Sequence, residues 1–140
     1  MRKIFVDSLS RAREKFCFKI IAYVIMPEHV HLLIHPNTEK YDIGHILASI
    51  KISVGMKSTI ILKDLGKEKV VHFWQRGGGY DRNIITKDAL RASIDYIHNN
   101  PVKRGLVESS EQWYWSSAGY YAGQKEYLIK MDEEVLEVLI

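Results

Sequence analysis

Apolar residues recur at Phe5, Leu9, Ala12 and Phe16, a spacing that draws one stripe along a helix from about Ile4 to Phe16. Arg11, Arg13 and Lys15 fall largely off that stripe. From Phe18 to Met26 the chain is rich in Ile, Val, Tyr and Phe and too short for a helix of its own, so it reads as a strand. Pro27-Glu28 interrupts it, and His29 to His35 is a second apolar strand ending at Pro36. Strands so close in sequence pair antiparallel, although Pro-Glu is not one of the dipeptides that fix a hairpin register. Ile43, Ile46, Leu47, Ile50 and Val54 define a second helix, from about Tyr41 to Lys63, closed by Leu65-Gly66-Lys67. Val70 to Gln75 reads as a third strand, and a glycine run (Gly77 to Gly79) and a short strand from Asn83 to Ile85 follow. Thr86 is the expected N-cap of a third helix, with Asp88 in its first turn and Leu90, Ile94 and Ile97 toward the core. Pro101 is expected to end that helix, because a residue before proline, here Asn100, is pushed out of the α region. Helices alternating with a close pair of strands predict the α+β class, with helices packed on one antiparallel sheet.

The length of 140 residues predicts one domain, 1–140, with residues 108–140 as a C-terminal aromatic and acidic extension. The longest unbroken apolar run, Ile20 to Met26, is seven residues, far too short to span a bilayer. The N-terminus breaks into charge before a signal-peptide core can form. A single cysteine, Cys17, excludes an intramolecular disulfide and a cysteine-rich zinc module. The expectation is a soluble, cytoplasmic protein with no membrane partner. Net charge is only +3, but it is unevenly spread. Residues 51–105 carry eleven Lys/Arg against five Asp/Glu, whereas residues 106–140 carry two against seven. A basic middle and an acidic tail point toward a polyanionic partner, and a solvated mixed-charge surface explains the same numbers.

Three segments carry candidate chemistry. In His29-Val30-His31 the strand alternation turns both imidazoles to one face and Val30 to the other, so the two histidines can share a metal. His35 has the same parity but lies too far along the strand for the same ion. In the helix, Tyr96 and Asn100 are four residues apart on a flank beside the Leu90/Ile94/Ile97 stripe, where a phenol and an amide can face a cleft. Around Gly77 to Gly79, the residues Trp74, Arg76, Tyr80 and Arg82 alternate stacking faces with cations, a pattern suited to single-stranded nucleic acid. The aromatic cluster Trp113-Tyr114-Trp115 with Tyr120 and Tyr121 reads instead as packing that docks the C-terminal segment.

Taken in order, MPEHVHLLI (26–34), SIK (49–51), FWQRGGGYDRN (73–83), YIHNNPVKRGLV (96–107) and WYWSSAGYY (113–121) resemble the REP-associated tyrosine transposases, within the HUH family of single-strand insertion-sequence transposases. The resemblance implies a ferredoxin-like fold that cuts and rejoins single-stranded or hairpin DNA, as a monomer or a homodimer. It implies that His29, His31 and Asn100 hold Mg2+ or Mn2+, and that Tyr96 is the nucleophile. It also implies that Lys51, Arg76 and Arg82 lie near DNA, and Lys103 and Arg104 join them by proximity to Tyr96. Family members carry a further strand before the first helix, and Met1 here falls almost at that helix. The resemblance therefore leads to a sheet one strand short, and to an alternative reading as a decayed, non-catalytic single-stranded DNA-binding module. A third alternative, a zinc hydrolase using His29, His31 and His35, lacks an evident carboxylate base.

Overall fold

The computed structural model describes residues 2–27, 29–35, 46, 48–50, 87–124 and 126–132. The chain forms two compact units, Met1–Phe18 with Pro36–Asp81, and Lys19–His35 with Arg82–Ile140.

In the first unit, α1 (Arg2–Phe16) buries the expected stripe, Phe5, Leu9, Ala12 and Phe16, together with Val6 and Ser8. It ends at Cys17, whose φ of 55° is left-handed and whose N–H donates to Arg13 O at 2.8 Å. That is the single-bond αL cap, here built on a residue with a side chain instead of the usual glycine. Of the helix expected over 41–63, residues 46 and 48–50 are described. They are helical, with Ile46 and Ile50 buried and Ala48 exposed, as one turn of an amphipathic helix requires. The strands expected at 70–75 and 83–85, and the glycine run, lie outside the described residues.

The second unit is a hairpin with a helix laid on it. β1 (Lys19–Ile25) and β2 (Val30–His35) pair antiparallel, and Met26 N–H closes the turn on His29 O at 2.8 Å. Two residues, Pro27 and Glu28, separate that last pair. The register sets Val24 opposite His31 and Ala22 opposite Leu33, with an irregularity at Ile21, where two residues of β1 oppose one of β2. Such a bulge shifts the pairing by one residue, so it decides which side chains share a face. On the face of Ala22, Val24 and Met26 lies α2 (Lys87–Lys103), which contributes Leu90, Ile94 and Ile97 to a common core flanked by Leu33, Trp113 and Tyr121. The fold is α+β, as expected.

The outer edge of β1 is closed by the chain that follows α2. Ile25 N–H donates to Trp115 O at 2.8 Å and Ser117 N–H to Tyr23 O at 3.0 Å, making an antiparallel bridge between Val24 and Ser116. Further along, Asp132 N–H donates to Ile20 O at 3.1 Å and Ile20 N–H donates to the Asp132 carboxylate at 2.9 Å. The Trp113 indole N–H reaches Ile25 O and the Tyr121 hydroxyl reaches Ile21 O. The bulge turns polar groups of both Ile20 and Ile21 outward, and each finds a partner. Among the described residues, no second strand pairs with β2 on its far edge. No helix of the described residues is long and apolar enough to cross a membrane.

One expectation is corrected. Pro101 does not end α2; it sits inside the helix, which runs on to Lys103. Proline is costly mid-helix because it removes a bond to the preceding turn, but here it stands within the last turn, with only Val102 and Lys103 after it. Termination comes from Gly105, at φ 74°, with Gly105 N–H on Val102 O and Leu106 N–H on Pro101 O. Those two bonds are a Schellman motif, and the left-handed glycine makes it possible. A Cβ at Gly105 would meet nothing within 4 Å, so a substitution there tests the backbone alone. Gly105→Ala should lower stability by about 1 kcal/mol in urea unfolding, and Gly105→Asn, which tolerates the left-handed region better, by about half as much.

Candidate functional site

Strand parity and the register bring His29 and His31 to the face of the hairpin that α2 covers. His31 lies opposite Val24, which is in contact with the α2 core. The His29 and His31 rings stand edge to face with centroids 4.8 Å apart, so the two imidazoles are neighbours. Burial, reinforced by His29, holds His31 below the ordinary imidazole range, which keeps it neutral at pH 7. Neutral imidazole is the form that binds a cation.

The third group comes from α2. With Ile97 facing the core, Tyr96 and His98 lie about 100° to either side of it. Tyr96 falls on the flank toward β2. Its ring meets that of His31 edge to face at 5.4 Å, yet the side chain is 55% exposed. His31 therefore stands between His29 and Tyr96. Asn100, one turn along the same flank, is buried. Among the described residues no group of three or more His, Cys, Asp or Glu is gathered. Tyr96 thus has a pair of adjacent imidazoles against it, and Asn100 lies one turn further along the same flank of the helix.

Lys103 and Arg104 are both exposed where α2 ends. Lys51, Arg76 and Arg82 lie outside the described residues. His35 is at the far end of β2, opposite Lys19, and its side chain is likewise outside them.

Residues 1–100 match the family model described as "Transposase IS200 like". The chain belongs to that family. It is also 29% identical over 118 residues to a Haemophilus influenzae protein described as "Putative REP-associated tyrosine transposase", a match covering 81% of this chain and 66% of that relative. The chain thus spans just under two thirds of the relative's length. No solved structure matches it. For an IS200-like transposase, the family match ends within α2, after Tyr96 and at Asn100. The segment closing the edge of β1 therefore lies beyond it.

Sequence reasoning gave His98 no role. It lies on the opposite flank of α2 from Tyr96, with Nε2 2.7 Å from Ser117 Oγ and its ring 4.9 Å from that of Tyr121. Ser117 Oγ also accepts from Tyr23 N–H at 3.0 Å. The one available signal was spacing: His98 is two residues from both Tyr96 and Asn100, which on a helix means the other side.

Burial lowers the His98 pKa to about 4, with Asp95 opposing weakly. The folded state thus resists protonation that the unfolded chain accepts near pH 6.5. Stability from this group is complete above pH 6.5 and is lost as pH falls toward 4. Unfolding by urea at pH 7 and pH 4.5 should differ by about 2 kcal/mol on this account, and His98→Gln should remove most of that difference.

Proposed function

We propose that the chain performs metal-dependent cleavage and strand transfer of single-stranded DNA through a covalent tyrosine intermediate. The observation that carries this reading is the exposed Tyr96 ring against His31, itself beside His29, in a member of a transposase family.

His29, His31 and Asn100 are the residues that would hold Mg2+ or Mn2+, which supplies Lewis-acid charge at a phosphate oxygen. Tyr96 does the bond-making. Its phenolate oxygen attacks phosphorus, a Tyr–O–P bond forms, and the bond from phosphorus to the 3′-oxygen breaks. The electron pair leaves on that oxygen, which takes up a proton to give a free 3′-hydroxyl beside a 5′-phosphotyrosine. One difficult displacement becomes two easier ones, and the phosphodiester energy is kept for rejoining. A phenol near pKa 10 needs help to ionise. The exposed cations Lys103 and Arg104, about two turns on from Tyr96, favour the phenolate and the DNA backbone alike.

Incubation with a single-stranded DNA hairpin and Mn2+ should yield a protein–DNA adduct stable to denaturant. Tyr96→Phe should abolish the adduct while leaving binding within about threefold. Replacing Lys103 and Arg104 together by Ala should weaken binding and make its salt dependence shallower by about one to two charges. Salt-sensitive binding with no adduct under any divalent ion would refute cleavage and favour the non-catalytic module. An adduct surviving in Tyr96→Phe would remove Tyr96 from its role.

A further inference from the structure

α2 rests on the hairpin mainly through aliphatic contacts, Leu90, Ile94 and Ile97 against Ala22 and Val24. Such contacts are non-directional and by themselves do little to fix the rotation of a helix about its own axis. A rotation of about 20° about that axis would move a side-chain group about 6 Å out by about 2 Å. On the flank away from the site, a directional contact opposes that rotation: His98 Nε2 to Ser117 Oγ at 2.7 Å. Ser117 is anchored in turn, its N–H donating to Tyr23 O and its Oγ accepting from Tyr23 N–H. Tyr121 closes the other side of the His98 ring and is itself tied to β1 through Ile21 O.

We propose that His98 is a positioning residue that fixes the rotation of α2, and so holds Tyr96 against His31, by gripping Ser117 on the outer edge of β1. The inference rests on the reading of Tyr96 as the nucleophile for its consequence, but the placement of the ring is testable without activity. Misplacement of a reacting group by about 1 Å can slow an enzyme on the order of a hundredfold. His98 touches no reacting atom in this scheme, so its loss acts on the rate and not on DNA affinity.

Three variants separate the possibilities. His98→Leu removes the bond, His98→Asn keeps a polar side chain too short to reach Ser117, and His98→Gln places an amide nitrogen near the position of Nε2. In the free protein, the nuclear Overhauser cross-peak between the His31 and Tyr96 rings should survive in His98→Gln. It should fall severalfold in folded His98→Leu or His98→Asn. With saturating hairpin DNA and Mn2+, adduct formation should be at least tenfold slower in the Leu and Asn variants. It should stay within threefold of wild type in Gln, with the Kd for DNA within threefold in all. An undiminished cross-peak in the folded Leu or Asn variant overturns the proposal, as does an equal loss of rate in all three. If the wild-type protein forms no adduct, the proposed function fails, while the cross-peak still decides whether His98 sets the position of Tyr96.

Discussion

A buried strand must satisfy both rows of its backbone polar groups, and β1 meets that demand with two very different partners. β2 pairs along one edge in an antiparallel ladder broken by the bulge at Ile21. The other edge is met piecemeal by Trp113, Trp115, Ser117, Tyr121 and Asp132. Each outward N–H or C=O left unpaired there would cost about 1–3 kcal/mol, so the C-terminal segment is held in place by the strand's needs more than by its own propensity. Everything the site requires from behind follows from that docking. Ser117 is where it is because three hydrogen bonds tie it to Tyr23, and His98 has a fixed partner because Ser117 is fixed.

The bulge at Ile21 ties the two edges together. Without it, the pairing from Ala22 onward would be shifted by one residue, and a one-residue slip sends every side chain to the other face. Val24 would no longer stand opposite His31 on the side covered by α2. The same irregularity turns both Ile20 and Ile21 outward, where Asp132 and Tyr121 meet them. One extra residue in one strand thus sets the facing of the imidazoles and the docking points of the tail.

Much of this was legible because it depends on period. The stripe of Phe5, Leu9, Ala12 and Phe16, the antiparallel pair, the common face of His29 and His31, and the flank shared by Tyr96 and Asn100 all follow from spacings of 3.6 and 2.0. What escaped depends on backbone accounting between segments far apart in sequence. The end of α2 was misplaced because Pro101 is the louder signal, whereas a proline near the last turn is tolerated and Gly105 supplies the cap that stops the helix. The aromatic run 113–121 was legible as docking, but not its target, since nothing in its composition names the outer edge of β1. His98 was invisible for the same reason: its partner is 19 residues away on a segment with no regular pattern.

His31–Tyr96 and His98–Tyr121 are ring contacts of similar geometry, and their difference bears on which of them suits the proposed chemistry. His98 and Tyr121 are 4.9 Å apart, but the Tyr121 hydroxyl is committed to Ile21 O and the imidazole to Ser117 Oγ. That pair is a brace. His31 and Tyr96 are 5.4 Å apart, the phenol is more than half exposed, and a second imidazole stands beside the first. Tyr23 offers the contrast from the other side: it is buried, and burial, with Tyr114 adding to it, raises its pKa, so ionisation is suppressed. A nucleophilic phenol has to be reachable by a phosphodiester and close to groups that stabilise its anion. The Tyr121 hydroxyl is already committed and Tyr23 is buried, whereas Tyr96 meets the first condition and, in the proposed function, stands beside the imidazoles that would hold the cation supplying the second. The brace on one flank of α2 and the open pair on the other therefore fit together in the proposed scheme, in which the helix is held from behind so that its exposed face can act.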